Sequence, residues 1–183
     1  MHPRAEEFER RARAEHGIEI DVREFPEGTK TAADAAEAVG CSVEEIASGI
    51  VLSADGDLVV SVTSGANRVD TAKIADLLGV DGPAVSMADA EDVKATLGWS
   101  IGGVPPFCHE TDVPVFLDET LAGFDRVWAA AGTPEAVFPI DPEGIVAVAG
   151  AETADVREGV RDRPAVRRGG MASRQPVASR LVR

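Results

Sequence analysis

The sequence predicts an α+β fold, a single domain whose curved, mixed, mostly antiparallel sheet is flanked by helices. Three observations lead there. Short strand-like runs come in groups rather than alternating regularly with helices, which disfavours a doubly wound parallel sheet. Most helical runs carry a capping residue at the start and a glycine at the end. At 183 residues the chain can bury one substantial core, and its composition shifts only near residue 157.

The elements follow in order. Residues 4–15 read as a helix with Phe8 as its main apolar contact. Ile18 to Phe25 alternates with period two and reads as a strand, after which Pro26-Glu27-Gly28 turns the chain. Thr31 caps a helix that Gly40 ends, and Ser42 with Glu45 forms a capping box for one short turn. Gly49–Ala54 and Leu58–Ser64 form a hairpin around Asp55-Gly56-Asp57. Asp70 caps the next helix, closed by Gly79; Ser86 or Ala88 opens another, closed by Gly98. Three short strands follow from Val113, Arg126 and Glu135, and Asp141-Pro142 starts a last helix that stops at Gly150.

The charge is biased. The chain carries 32 acids against 18 bases, for a net charge of −14, and its only lysines are Lys30, Lys73 and Lys94. Such self-repulsion is tolerable where salt screens it, over ~3 Å at 1 M, so the composition resembles that of proteins from salt-loving archaea. An acidic body disfavours nonspecific binding to DNA or RNA. No stretch resembles a signal peptide or approaches the ~20 apolar residues of a membrane span, which points to the cytoplasm. Two cysteines, Cys41 and Cys108, are too few for a disulfide framework or a structural zinc site, and no metal-ligand spacing is evident. Residues 157–183 hold eight arginines and two acids and read as a disordered basic tail beyond a 1–156 domain.

The loop Ile101-Gly102-Gly103-Val104-Pro105-Pro106-Phe107 concentrates the chemistry. Glycines let the main chain approach a ligand closely, and prolines hold the turn stiff. The N–H groups of Gly102, Gly103 and Val104 could donate to a developing oxyanion, an interaction of ~2.7–4 kcal/mol where measured.

Six phrases then occur in one order: T-A-A-D-A-A-E-A-V-G, E-E-I-A-S-G-I-V-L, S-G-A-N-R-V-D-T-A-K-I-A, I-G-G-V-P-P-F, V-F-L-D-E-T-L and V-W-A-A-A-G-T-P-E-A-V-F-P-I. Together, over roughly residues 25–157, they resemble the YbaK/prolyl-tRNA-synthetase-associated editing domain family. The resemblance implies a free-standing hydrolase that removes a wrong amino acid, such as alanine, cysteine or serine, from mischarged tRNA, often tRNA for proline. It implies no cofactor, no metal and no protein nucleophile; the base would be the ribose 2′-hydroxyl of the substrate. The family's Gly-x-x-x-Pro loop maps onto Gly102 to Pro106. The expected partners are the acceptor end of tRNA and an aminoacyl-tRNA synthetase, with no DNA and no membrane.

One departure is clear. Where the family usually has a lysine, this chain has Ser48, which keeps a hydroxyl donor and loses the charge. A non-catalytic module that binds an aminoacyl-tRNA end, a nucleotide or a synthetase is therefore the alternative reading. Other expected pocket residues are Thr31, Ser64, Asn67, Pro105, Pro106, His109, Gly132 and Thr133. Cys108 and His109 are adjacent on an extended segment, so their side chains point apart and do not form a nucleophile–base pair. Lys73 is expected to pair with Asp70 or Asp76. Trp99 and Trp128 are expected in the core or the pocket wall.

Overall fold

The computed structural model describes residues 1–26 and 29–159. The expected turn at Glu27-Gly28 and most of the expected basic tail, 160–183, lie outside the described residues. Among those described are five α-helices: α1 (Pro3–His16), α2 (Ala32–Val39), α3 (Thr71–Leu78), α4 (Ala90–Leu97) and α5 (Pro142–Ala149). Eight strands form one sheet: β1 (Arg23–Glu24), β2 (Ile46–Ala54), β3 (Asp57–Ser64), β4 (Val85–Met87), β5 (Val115–Asp118), β6 (Val127–Ala130), β7 (Ala136–Ile140) and β8 (Glu152–Ala154). Their order is β1-β7-β6-β2-β3-β5-β8, with β4 added alongside β2. Four of the strand pairings are antiparallel and three parallel, so the sheet is mixed as expected.

The local chemistry explains the elements. Thr31 Oγ1 accepts from Asp34 N–H at 3.0 Å while the Asp34 carboxylate accepts from Thr31 N–H, closing a capping box. The β2–β3 hairpin turns through Asp55 and Gly56, both at positive φ, as a right-twisted two-residue turn requires. β3 is buried on both faces. Val60 and Val62 face the core under α1, whereas Val59 faces a second cluster with Ile74 of α3 and Phe116 of β5. The main core centres on Phe8 of α1, whose ring packs 5.1 Å from Phe138 and 6.1 Å from Trp99.

Two expectations need correction, and one strand is added. Ile18, Ile20 and Val22 do pack on the core, but only Arg23–Glu24 finds a partner strand, in β7. Period two reports burial; a strand also needs an edge to pair with. The helix expected from Ser86 or Ala88 begins at Ala90 with Asp89 at the cap position, because Val85–Met87 is taken up as β4. Near the C-terminus, β8 adds a parallel edge strand on β5, and Val69 pairs with Arg157, so the sheet extends up to the expected tail boundary. No helix among the described residues is long and apolar enough to cross a membrane.

Candidate functional site

The site originates in a split along one edge of β2. At its start, Ile46 and Ala47 pair with Trp128 and Ala129 of β6. At its end, Leu52 to Ala54 pair with β4. β6 and β4 diverge between these points and, among the described residues, positions 48–50 have no strand neighbour on that edge. Ala88 N–H reaches the Val51 carbonyl at 3.1 Å, which identifies the edge that odd-numbered residues face. By the period-two rule, Gly49 presents its own N–H and C=O to the same gap.

A cavity of about 250 Å³ occupies this gap. Its floor is β2 from Ile46 to Val51; its walls include Trp128, Ala130, Ala136 and Val137 from β6 and β7, with Ala32 and Ala35 from α2. Thr29, Lys30 and Thr31 border it on one side, and Met87, Ala88, Ile101 and Gly102 on another. Met87 and Ile101 are 61% and 53% exposed and give the cavity an apolar rim. Among the described residues no acidic side chain lines the cavity, and Lys30 is the one charged lining residue. That arrangement suits an anionic or neutral ligand, of which a small portion is enclosed.

Of the expected site residues, Thr31, Ser48 and Gly102 line the cavity. Ile101 and Gly102 form the tip of a turn closed by Gly103 N–H donating to the Ser100 carbonyl at 2.9 Å, with Gly102 at φ 94 as a type II turn demands. The expected cradle of three donors is thereby corrected: the Gly103 N–H is consumed within the turn. The N–H groups of Gly102 and Val104 have no acceptor among the described residues. The loop then passes over β2, and a Cβ at Gly49 would lie 2.5 Å from the Val104 oxygen. Val104, Pro105 and Pro106 are buried beneath the cavity rim rather than lining it.

His109 lies under the loop. Burial pushes its pKa down, so the ring is neutral near pH 7, and its Nε2–H then donates to the Pro105 carbonyl at 2.8 Å. It braces the loop from behind and does not line the cavity. Gly132 and Thr133 form the loop's other support: Gly103 packs on the Thr133 backbone, and Gly132 packs on Arg4 and Trp99. The Thr133 hydroxyl is engaged with Glu135 at 3.1 Å.

Ser64 and Asn67 belong to a separate polar knot. The fully buried Asp118 carboxylate accepts from Ser64 N–H at 3.0 Å, Asn67 Nδ2 at 2.8 Å and Thr120 N–H at 2.9 Å. Ser64 Oγ donates to the Glu44 carbonyl at 2.8 Å. These bonds tie β3 to β5, away from the cavity. Replacing Asp118 by alanine orphans three donors and is expected to cost about 2–3 kcal/mol, read as a lowered denaturant midpoint. Lys73 pairs with Asp155 at 2.7 Å and the Arg157 carbonyl at 2.8 Å rather than with Asp70 or Asp76, because its side chain reaches across to the chain's return past α3. That contact holds the Asp155 carboxyl below its ordinary pKa.

Lys30, Gly49, Met87, Ile101 and Trp128 complete the cavity and were not picked out as pocket residues from sequence, beyond Trp128 as a possible wall. Gly49 within a strand did carry a signal, since a glycine there marks a close approach.

Residues 26–148 match the family model of the aminoacyl-tRNA editing domain, a range that includes every residue lining the cavity. Over 126 residues the chain is 32% identical to the uncharacterized protein YwhH of Bacillus subtilis, covering 68% of this chain and 78% of that protein. It is 33% identical over 106 residues to the proline–tRNA ligase of Leuconostoc citreum, which covers 58% of this chain and 18% of the ligase. Among solved structures, a candidate trans-editing enzyme for prolyl tRNA synthetase superposes with a TM-score of 0.81 at 37% identity, covering 87% of this chain and 99% of that one. A hypothetical protein of known structure superposes at 0.73 with 26% identity, over 81% and 98% of the two chains.

Proposed function

Because the chain belongs to the aminoacyl-tRNA editing domain family, we propose that it is a trans-acting deacylase for mischarged tRNA, with alanyl, cysteinyl or seryl esters on tRNA for proline as its candidate substrates. The observation that carries this reading is a cavity with no acidic lining among the described residues, set in the open edge of β2 and bordered by Lys30, Ser48 and the glycine turn. The aminoacyl group occupies the space against Ala47, Gly49 and Trp128. The terminal adenosine lies across the exposed Met87 and Ile101, and its phosphate meets Lys30.

An aminoacyl ester is already activated, so the protein's task is to place water and favour negative charge on the carbonyl oxygen. Water attacks the carbonyl carbon, its proton passing to the ribose 2′-hydroxyl acting as a relay. The N–H groups of Gly102 and Gly49, with the Ser48 hydroxyl, face the developing oxyanion. The carbon–oxygen bond to the ribose breaks, the 3′-oxygen takes the proton, and free amino acid and intact tRNA leave. No side-chain nucleophile is required.

The test is a deacylation panel of Ala-, Ser- and Cys-charged tRNAs with the purified chain across KCl concentrations. Release of at least one amino acid is expected; survival of every ester would sink the reading. Lys30→Ala is expected to raise KM about tenfold with kcat changed little, and the effect should shrink as salt rises. The commitment of Gly103 N–H to Ser100 favours a second reading, binding without turnover. In that case the charged tRNA binds, its ester persists, and Ser48→Lys restores no activity.

A further inference from the structure

Below the glycine loop, on the side of the domain where α1 ends, the structure assigns a second site: we propose that Glu15, His16 and Cys108 bind one zinc-type cation. A carboxylate oxygen, an imidazole nitrogen and a thiol sulfur, one from each residue, all lie within 4.8 Å of one another. The sequence concealed this set, because it joins the last turn of α1 to a residue far along the chain. The proposal does not depend on the deacylase reading.

Each ligand is positioned by something else. Arg11 Nε donates to Glu15 Oε2 at 2.8 Å, and Oε1 lies 4.0 Å from His16 Nε2. The His16 ring stands edge-on to Phe107 with centroids 5.7 Å apart, and neither ring nitrogen has a hydrogen-bond partner among the described residues. Cys108 is 5% exposed and sits at φ 66, a left-handed conformation uncommon outside glycine. The buried Trp99 indole N–H holds it there by donating to the Cys108 carbonyl at 2.8 Å. The thiol sulfur lies within 4.8 Å of the Glu15 carboxylate and the His16 imidazole.

The helix end favours a cation, an effect partly offset by the Arg11 guanidinium that pairs with Glu15. α1 ends at His16, so the negative end of a 14-residue helix dipole lies beside the site. A space of about 120 Å³ opens over the three residues, with His109 and Asp112 also on its walls, enough for an ion and a bound water. Zinc takes sulfur at ~2.3 Å and nitrogen or oxygen at ~2.0–2.2 Å, so tetrahedral ligands sit roughly 3.3–3.7 Å apart. Rotamer changes of about an ångström at the exposed Glu15 and His16 close the present set to that spacing. Binding replaces the thiol proton, which passes to solvent, and leaves one coordination position for water. The ion would pin α1 to the end of the glycine–proline loop.

Zinc chloride titrated into the full chain in metal-free buffer tests this, with cobalt as a coloured replacement. One equivalent of zinc is expected to bind and to raise Tm by about 5–10 °C at a hundredfold excess over Kd. Cobalt should show a thiolate charge-transfer band. His16→Ala and Cys108→Ser should each weaken binding by about 10–100-fold or more and remove or diminish that band, whereas Cys41→Ser should leave both unchanged. His16 is partly exposed, so its variant remains informative should Cys108→Ser fail to fold. The proposal is overturned by absence of binding, by cobalt bound without a thiolate band, or by an affinity that His16→Ala leaves intact.

Discussion

Gly103→Ala is expected to reduce deacylation at least about a hundredfold. A Cβ there would lie 2.6 Å from Thr133 Cα, 2.7 Å from its nitrogen and 2.8 Å from its carbonyl carbon. These are backbone atoms, so no rotamer change relieves the overlap and the loop itself must shift. Ile101 and Gly102 belong to the same turn and line the cavity, so they move with it. Displacement of a positioned donor by about 1 Å is enough for a hundredfold loss. The accompanying destabilisation should be about 1–3 kcal/mol, the usual range for overpacking. Gly82→Ala is the matched control, because an added Cβ there meets nothing within 4 Å. Equal rates for Gly103→Ala and the unmodified chain would show that this loop does not position the reaction.

Trp99→Ala is expected to be the most destabilising single change, at about 3–5 kcal/mol. The side chain is fully buried, the Phe8 ring meets it edge-on at 6.1 Å, and the Arg4 guanidinium lies 4.3 Å above its ring. Its indole N–H also satisfies the Cys108 carbonyl. For a chain of this length such a loss lowers Tm by about 6–20 °C. Trp99→Phe keeps most of the ring and loses the hydrogen bond, so it should cost roughly 1 kcal/mol beyond its packing change. A melting curve for Trp99→Ala that overlays the parent would remove Trp99 from the centre of the core.

These two residues show how the site is made. Gly103 is fixed by Thr133, and the Gly132 beside it is fixed by Trp99 and Arg4 of α1. The cavity's glycine turn thus rests on a stack that reaches through to the far helix, and a change in the core is transmitted to the site as backbone displacement.

Much of the fold was legible in the chain alone, for local reasons. Thr31, Asp70 and Asp141 cap their helices because short polar side chains accept from free N–H groups a few residues on, and each of those bonds is present. The hairpin turn at Asp55-Gly56 is written in residues that tolerate positive φ. The order of six phrases sufficed for the family, and Thr31, Ser48 and Gly102 line the cavity. Pairing partners were not legible, because hydrogen bonds between strands depend on which edges meet. β4 and β8 were missed for that reason, and most of Ile18–Phe25 was overassigned as strand.

What the sequence determined by itself is whatever a residue settles with its near neighbours: caps, turns, the alternation of buried positions and the stiffness of the glycine–proline loop. Tertiary structure alone decided the rest. It opened the β2 edge by separating β6 from β4, committed Gly103 N–H to a turn, moved Ser64 and Asn67 into a knot around Asp118, and set Lys30 at the cavity. Each of these depends on backbone groups and side chains distant in sequence reaching hydrogen-bond or van der Waals distance, which only the packed sheet and helices impose.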